Sequence, residues 1–229
     1  MGIKDNIAKF REELNLRNAK LIAVSKTHST EKIREAYEAG QRIFGENKVQ
    51  ELTEKAPQLP GDIQWHLIGH LQRNKVKYIA PFVSLIHSVD SQKLLQEIHL
   101  QGKKTGKVVH CLLQVFIAKE ETKFGLDKDE LMQLIQSPET AAMDHVVIDG
   151  LMGMATLTEN KDQIRDEFRA LKKIFDHLGQ QSLPINIKMQ ELSMGMSSDY
   201  KIALEEGSTM VRVGTAIFGT REYMTNETK

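Results

Sequence analysis

A lysine at the end of a short apolar run is the first residue in this chain with a claim to chemistry. Residues 21 to 27 read LIAVSKT, and an apolar run with a polar end describes a buried strand of a parallel sheet, Leu21 to Lys26, with Lys26 at its carboxyl end. Ser29, Thr30 and Glu31 can cap the helix that follows. In α/β sheets, open or closed, ligands bind at that edge, so the lysine is aimed at a pocket. Desolvation there disfavours the charged form and leaves more of the amine neutral and nucleophilic, ready to condense with a carbonyl. The bland alternative is a surface lysine whose stem lies along apolar neighbours. The other motifs decide between the two.

Two later loops supply complementary chemistry. LSMGMSSDY at 192–200 and VRVGTAIFG at 211–219 each carry a glycine, Gly195 and Gly214, that lets an anion approach the backbone. Ser193, Ser197 and Thr215 add hydroxyl donors, and both loops open into helices. Either loop alone reads as a helix cap and a turn, and Asp199 would repel an anion if it pointed inward. Together, after the last two strands of an eight-stranded barrel, they read as a phosphate cradle. A lysine facing such a cradle would hold a phosphorylated aldehyde by a Schiff base at one end and an ionic grip at the other, and pyridoxal 5′-phosphate (PLP) has that shape. Arg212, of the same inward parity as Gly214 and between apolar neighbours, is placed to donate to the pyridine nitrogen. An arginine stays protonated, so the ring nitrogen would not be, and the cofactor would be a weaker electron sink than with an aspartate partner.

These residues share a site only if the elements between them close on one another. An amphipathic helix is expected over Ile3–Leu16, from Ile3, Ile7, Phe10 and Leu14 on one face. Strand and helix then alternate. Strands are expected at Leu21–Lys26, Ile43–Gly45, Ile63–Ile68, Leu85–Val89, Val108–Ile117, His145–Ile148, Asn186–Leu192 and Met210–Val213. The intervening helices are Glu31–Ala39, Lys48–Lys55, Arg73–Ile79, Ser91–Leu100, Asp129–Gln136, Lys161–Leu178 and Asp199–Glu206, with a last one opening at Ala216. Eight β-then-α units, with prolines confined to connections and element ends, describe a single (β/α)8 TIM barrel with an extra amino-terminal helix, one domain over residues 1–229. An open doubly wound sheet is the rival, but SKTHST after the first strand lacks the glycines of a dinucleotide fingerprint.

Composition narrows the partners. Lys plus Arg and Asp plus Glu each total 31, so no global field favours nucleic acid or an anionic membrane. The one cysteine, Cys111, lies in the apolar run CLLQV and reads as an inert buried thiol in a reducing, cytoplasmic setting. No apolar run approaches the ~18 residues of a membrane span, and Lys4, Asp5 and Lys9 are foreign to a signal peptide. His66 and His70 have the spacing of a helical metal pair but fall on a strand and loop without an HExxH glutamate, so no metal is expected. Glu120, Glu121 and Lys123 read as a solvated rim, and Met152, Met154, Met194 and Met196 cluster at the mouth.

The motifs AVSKT at 23–27, FGEN at 44–47, VQE at 49–51, WHLIGHLQRNK at 65–75, GLM at 150–152, LSMGMSSD at 192–199 and VRVGTAIFG at 211–219 resemble the pyridoxal phosphate homeostasis proteins. The fold of that family is similar to the amino-terminal barrel of alanine racemase, and the resemblance runs over nearly the whole chain. It implies that Lys26 forms the Schiff base, that Arg212 lies at the ring nitrogen, that Ser193, Ser197, Gly214 and Thr215 surround the phosphate, and that Asn47 and His66 line the ring. Many relatives carry a proline soon after GLM, where this chain has Gly153-Met154-Ala155-Thr156.

Three functions share this arrangement. The resemblance implies a carrier that holds PLP reversibly, keeps the free aldehyde low and supplies apo-enzymes. The others are an amino acid racemase and a Schiff-base aldolase acting on a phosphorylated sugar. A racemase needs acid and base groups on both faces of the substrate α-carbon. In the fold resembled, the second is a tyrosine from a carboxyl-terminal β-domain that this chain is expected to lack, and Tyr37, Tyr78, Tyr200 and Tyr223 fall on helices or the tail. The expectation is a carrier without established turnover, a monomer whose partners are PLP and its apo-enzymes, with no nucleic acid and no membrane.

Overall fold

Eight parallel strands pair in sequence order and close β1 onto β8. They are β1 (Lys20–Val24), β2 (Ile43–Glu46), β3 (Gln64–Leu67), β4 (Leu85–Val89), β5 (Val109–Gln114), β6 (Val146–Met152), β7 (Ile187–Met196) and β8 (Met210–Val213). The computed structural model describes residues 2–118 and 124–219; Glu120, Glu121, Lys123, Tyr223 and the tail from Thr220 lie outside the described residues.

The helices are α1 (Ile3–Asn15), α2 (Thr30–Glu38), α3 (Val49–Lys55), α4 (Val76–Ile79), α5 (Gln92–Thr105), α6 (Lys128–Gln136), α7 (Pro138–Ala141), α8 (Lys161–Gly179), α9 (Tyr200–Glu205) and α10 (Thr215–Phe218). Each of the long ones buries one stripe: Ile3, Ile7, Phe10 and Leu14 on α1, and Ile164, Phe168, Leu171 and Leu178 on α8. No helix among the described residues is long and apolar enough to cross a membrane.

Strand side chains alternate between two environments. Ala23, Phe44, Trp65, Ile86, Cys111 and Leu113 join the large core beneath the helices, whereas Ile22, Leu85, Leu112, Met152 and Met210 form a separate cluster inside the bore. Both faces of a strand are therefore covered, which is why the strands read as nearly continuous apolar runs.

Differences from the sequence expectation lie at element ends. The predicted first strand stops at Val24, because Ser25 turns its hydroxyl to Glu46 and Thr27 takes a left-handed backbone (φ 66°). β6 and β7 run on past the expected ends at Ile148 and Leu192 to Met152 and Met196, each through a glycine of positive φ, Gly150 and Gly195. The expected Arg73–Ile79 helix is a 3-10 turn (Arg73–Lys75) followed by the four residues of α4, and α7 was not expected at all.

Candidate functional site

The segment that carries Lys26 is gripped from behind. Ser25 and Glu46 face outward from β1 and β2 toward α3, and the Ser25 hydroxyl donates to Glu46 Oε1 at 2.6 Å. Lys55, buried at the end of α3, donates through Nζ to the Ser25 carbonyl (2.9 Å), to Glu46 Oε1 (2.9 Å) and to Glu51 Oε1 (2.6 Å). Glu51 Oε1 also accepts from the Thr27 backbone N–H at 2.5 Å. A left-handed backbone at a β-branched residue costs about 1–3 kcal/mol, so the conformation persists because its surroundings hold it. Both neighbours of Lys26 are thus tied to one ion cluster. Burial pushes the Glu46 carboxyl above its usual range, opposed by Lys55 and Ser25, and its second oxygen, Oε2, has no hydrogen-bond partner.

In front of this segment, at the carboxyl end of the barrel, lies a cavity of about 320 Å³. Lys26 and Arg212 supply its cationic lining, Ser197, Ser198 and Thr215 its hydroxyls, and Asn47 an amide. Val24, Ile68, Met154 and Met196 supply apolar wall, and among the described residues no carboxylate lines it. Asp199 is turned away: its Oδ1 accepts from the Met196 N–H at 2.5 Å. Gly214 lines the cavity with its N–H 3.4 Å from Ser197 Oγ, and a Cβ there would stand 3.2 Å from the Val24 carbonyl. Gly69 lets the β3 loop cross Asn47, whose carbonyl a Cβ would meet at 2.3 Å.

Arg212 comes up through the floor. Its guanidinium donates from Nη1 to the Ser193 carbonyl (2.9 Å) and hydroxyl (2.6 Å), and from Nη2 to the Gly153 carbonyl (3.1 Å). Burial lowers its pKa to about 10, which still leaves it protonated at neutral pH, with Asp199 acting in the opposite direction.

Of the residues singled out from sequence, Lys26, Asn47, Ser197, Arg212, Gly214 and Thr215 meet at this cavity. Ser193, Gly195 and His66 do not line it. Ser193 lies beneath Arg212, and His66 sits inside the bore with Nδ1 2.9 Å from His87 Nε2. Gly195 is explained by packing: a Cβ would stand 2.5 Å from that of Ala203 on α9. His28 and Ser198 line the cavity and were missed as site residues. His28 is two residues past Lys26, a signal that was available, and its ring stacks on Phe218, which only the folded chain shows.

Met152 and Met194 are buried, whereas Met154 and Met196 reach the cavity. In the segment after Met152, Thr156 is held by Glu167 of α8, through its N–H (2.6 Å) and hydroxyl (2.8 Å). His70 pairs with Asp90 at 3.2 Å, and among the described residues no group of three or more His, Cys, Asp or Glu side chains is arranged to hold a metal. Cys111 is fully buried, and burial pushes its thiol up, away from reactivity. Tyr37 bonds Asp62 and Tyr200 bonds Glu13; neither these nor the exposed Tyr78 line the cavity.

A closed parallel barrel with a lysine just beyond its first strand and an arginine on its last matches the family described as alanine racemase, N-terminal domain, over residues 2–222. Alanine racemase from Bartonella henselae superposes on the fold with a TM-score of 0.71 at 18% identity, over all of this chain and 62% of that one. Closer relatives narrow the class. The chain is 42% identical over 206 residues to the pyridoxal phosphate homeostasis protein of Aquifex aeolicus, covering 90% of this chain and 88% of that one. It is 38% identical over 221 residues to that of Haemophilus influenzae, covering 95% and 92%. PipY of Synechococcus elongatus, solved with PLP bound, superposes with a TM-score of 0.86 at 39% identity over 95% of this chain and all of that one. The chain belongs to the pyridoxal phosphate homeostasis protein family.

Proposed function

We propose that this protein binds PLP in the cavity at the carboxyl end of the barrel and serves its intracellular homeostasis, holding the cofactor for release to apo-enzymes. The observation that carries the reading is the lining: an amine and a guanidinium, three hydroxyls and apolar wall, with no carboxylate among the described residues to oppose an anion. That donor set fits a flat, phosphorylated aldehyde. When bound, PLP supplies an aldehyde that condenses with a primary amine and a ring that draws electrons. In this reading Lys26 is the covalent anchor, its backbone held by the Ser25, Glu46, Glu51 and Lys55 cluster. Ser197, Ser198, Thr215 and the Gly214 N–H take the phosphate, and Arg212 faces the ring nitrogen with Asn47 beside it. His28 closes the side next to Phe218.

The same reading takes the chain as one PLP-binding domain, supported by a barrel closed on itself. It places the protein in the cytoplasm, supported by a lone, buried thiol.

Titration of the purified protein with PLP, followed by visible absorbance and gel filtration, tests the proposal. Wild type gains a stable visible band that co-elutes with protein; Lys26→Ala gives none while keeping its circular dichroism. Arg212→Ala keeps the band but loses PLP about 10- to 100-fold faster, the worth of hydrogen bonds to a charged group. A band of wild-type intensity in Lys26→Ala contradicts the assignment.

A further inference from the structure

The bore of the barrel holds a line of polar side chains that the binding cavity does not explain. Beneath Arg212, in sequence with its guanidinium, come Ser193 of β7, His87 of β4 and His66 of β3, all at least nine-tenths buried. They are set among the apolar bore residues Ile22, Leu85, Leu112, Met152 and Met210. Arg212 Nη1 lies 2.6 Å from Ser193 Oγ, Ser193 Oγ lies 3.0 Å from His87 Nδ1, and His87 Nε2 lies 2.9 Å from His66 Nδ1. Polar groups in such a place cost free energy unless each is satisfied.

The chemistry of the first member dictates all the others. A guanidinium only donates, so Ser193 Oγ accepts from it and the hydroxyl proton must go elsewhere. His87 Nδ1 is the acceptor within reach, so His87 carries its proton on Nε2 and donates to His66 Nδ1, which leaves the His66 proton on Nε2. The opposite sense would put two donors on the Ser193 oxygen and leave its own proton without this acceptor. Burial holds both rings neutral, with Lys20 pressing on His66 and Arg212 on His87 in the same direction.

His66 also lines a small polar well of about 190 Å³ at the amino end of the barrel, with Lys20 of β1, His110 of β5, Asp149 of β6 and Glu191 of β7. Those four are paired with one another, Lys20 with Glu191 and His110 Nδ1 with Asp149 at 2.6 Å. The line therefore runs from the floor of the cavity to an opening at the opposite end.

We propose that Ser193, His87 and His66 are positioning residues for Arg212, a directed hydrogen-bond chain that fixes the guanidinium at the cavity floor through two neutral Nε2–H histidines. The positioning role rests on PLP being the ligand of that cavity; the direction of the chain does not. With the Ser193 and His87 protons committed, the guanidinium cannot leave Ser193 without depriving its oxygen of a donor, so Arg212 is held ready for its ligand before the ligand arrives.

The test has two arms. In the ligand-free full chain, ¹⁵N imidazole spectra, assigned by the signals lost in His66→Gln and His87→Asn, show both rings as neutral Nε2–H tautomers that do not titrate between pH 5.5 and 8. A ring that titrates there, or carries its proton on Nδ1, overturns the chain whether or not PLP binds. In the PLP-loaded protein, His87→Leu, which removes the acceptor of the Ser193 proton, speeds PLP release about tenfold. His87→Asn, whose Oδ1 can stand in for Nδ1, restores slow release. Equal release from wild type and His87→Leu overturns the positioning role alone. Wild-type protein with the stated tautomers that never retains PLP overturns the functional reading, and the positioning role with it.

Discussion

Two polar groups are buried within one barrel and are satisfied by opposite means. Behind β1 and β2, the Glu46 and Glu51 carboxyls share the one Lys55 ammonium group around the backbone of residues 25–27. Inside the bore, Arg212 is the one charged member of a line in which Ser193, His87 and His66 are kept neutral and joined end to end. The ion cluster fixes where the chain goes, because Lys55 and Glu51 each hold a backbone group and Glu46 holds the Ser25 hydroxyl between them. The neutral line fixes where one side chain points, because each member has a single direction in which to donate. A cluster of ions in the bore would compete with an anionic ligand for Arg212; a neutral line does not.

Removing a single charge from the ion cluster breaks the comparison most sharply. Lys55→Met strands the fully buried Glu46 carboxylate, which already has one unpartnered oxygen, and is expected to cost about 3–5 kcal/mol in urea unfolding. By contrast, exposed pairs such as Lys172 with Asp176 are worth ~0–1 kcal/mol. A loss within that surface range for Lys55→Met would mean that the cluster is not held as ions.

The neutral line responds to pH instead. His66 is held at about 3 and His87 also far below the ordinary 6.5, so between those values the unfolded chain binds more protons than the folded one. Stability therefore falls as pH drops from about 6.5 toward 3, by up to about 1.4 kcal/mol per pH unit for each ring. Urea midpoints between pH 4 and 7 should show that slope in wild type and a shallower one in the His66→Asn, His87→Asn double variant. An unchanged slope would place the acid sensitivity elsewhere.

Much of this was legible in the chain because period and punctuation were strong. Eight apolar runs alternating with amphipathic stretches gave the barrel, strand parity turned Arg212 inward with Gly214, and position at a strand end put Lys26 at the mouth. Element ends were less legible. Strands expected to end at Ile148 and Leu192 run on through Gly150 and Gly195, since their positive φ lets the backbone pass a neighbour at close range. The cavity lining followed from position after a strand, and so did most of its residues. What no spacing announced was depth: Ser193 and His66 have the inward parity of site residues, yet they stand below the floor. His87, in the unremarkable run LIHSV, becomes meaningful only when β3, β4 and β7 face one another across the bore. Lys55 and Glu51 likewise looked like a helix's surface charges until α3 laid them against Ser25 and Thr27.

The claim beneath all of this is that one amine, Lys26, anchors the ligand in the cavity. Borohydride reduction of the PLP-loaded protein, followed by proteolysis and mass spectrometry, reads the point of attachment directly. The account predicts the reduced pyridoxyl adduct on the peptide containing Lys26 and on no other lysine; an adduct confined to a different lysine, or none in protein that retains PLP through gel filtration, would contradict it.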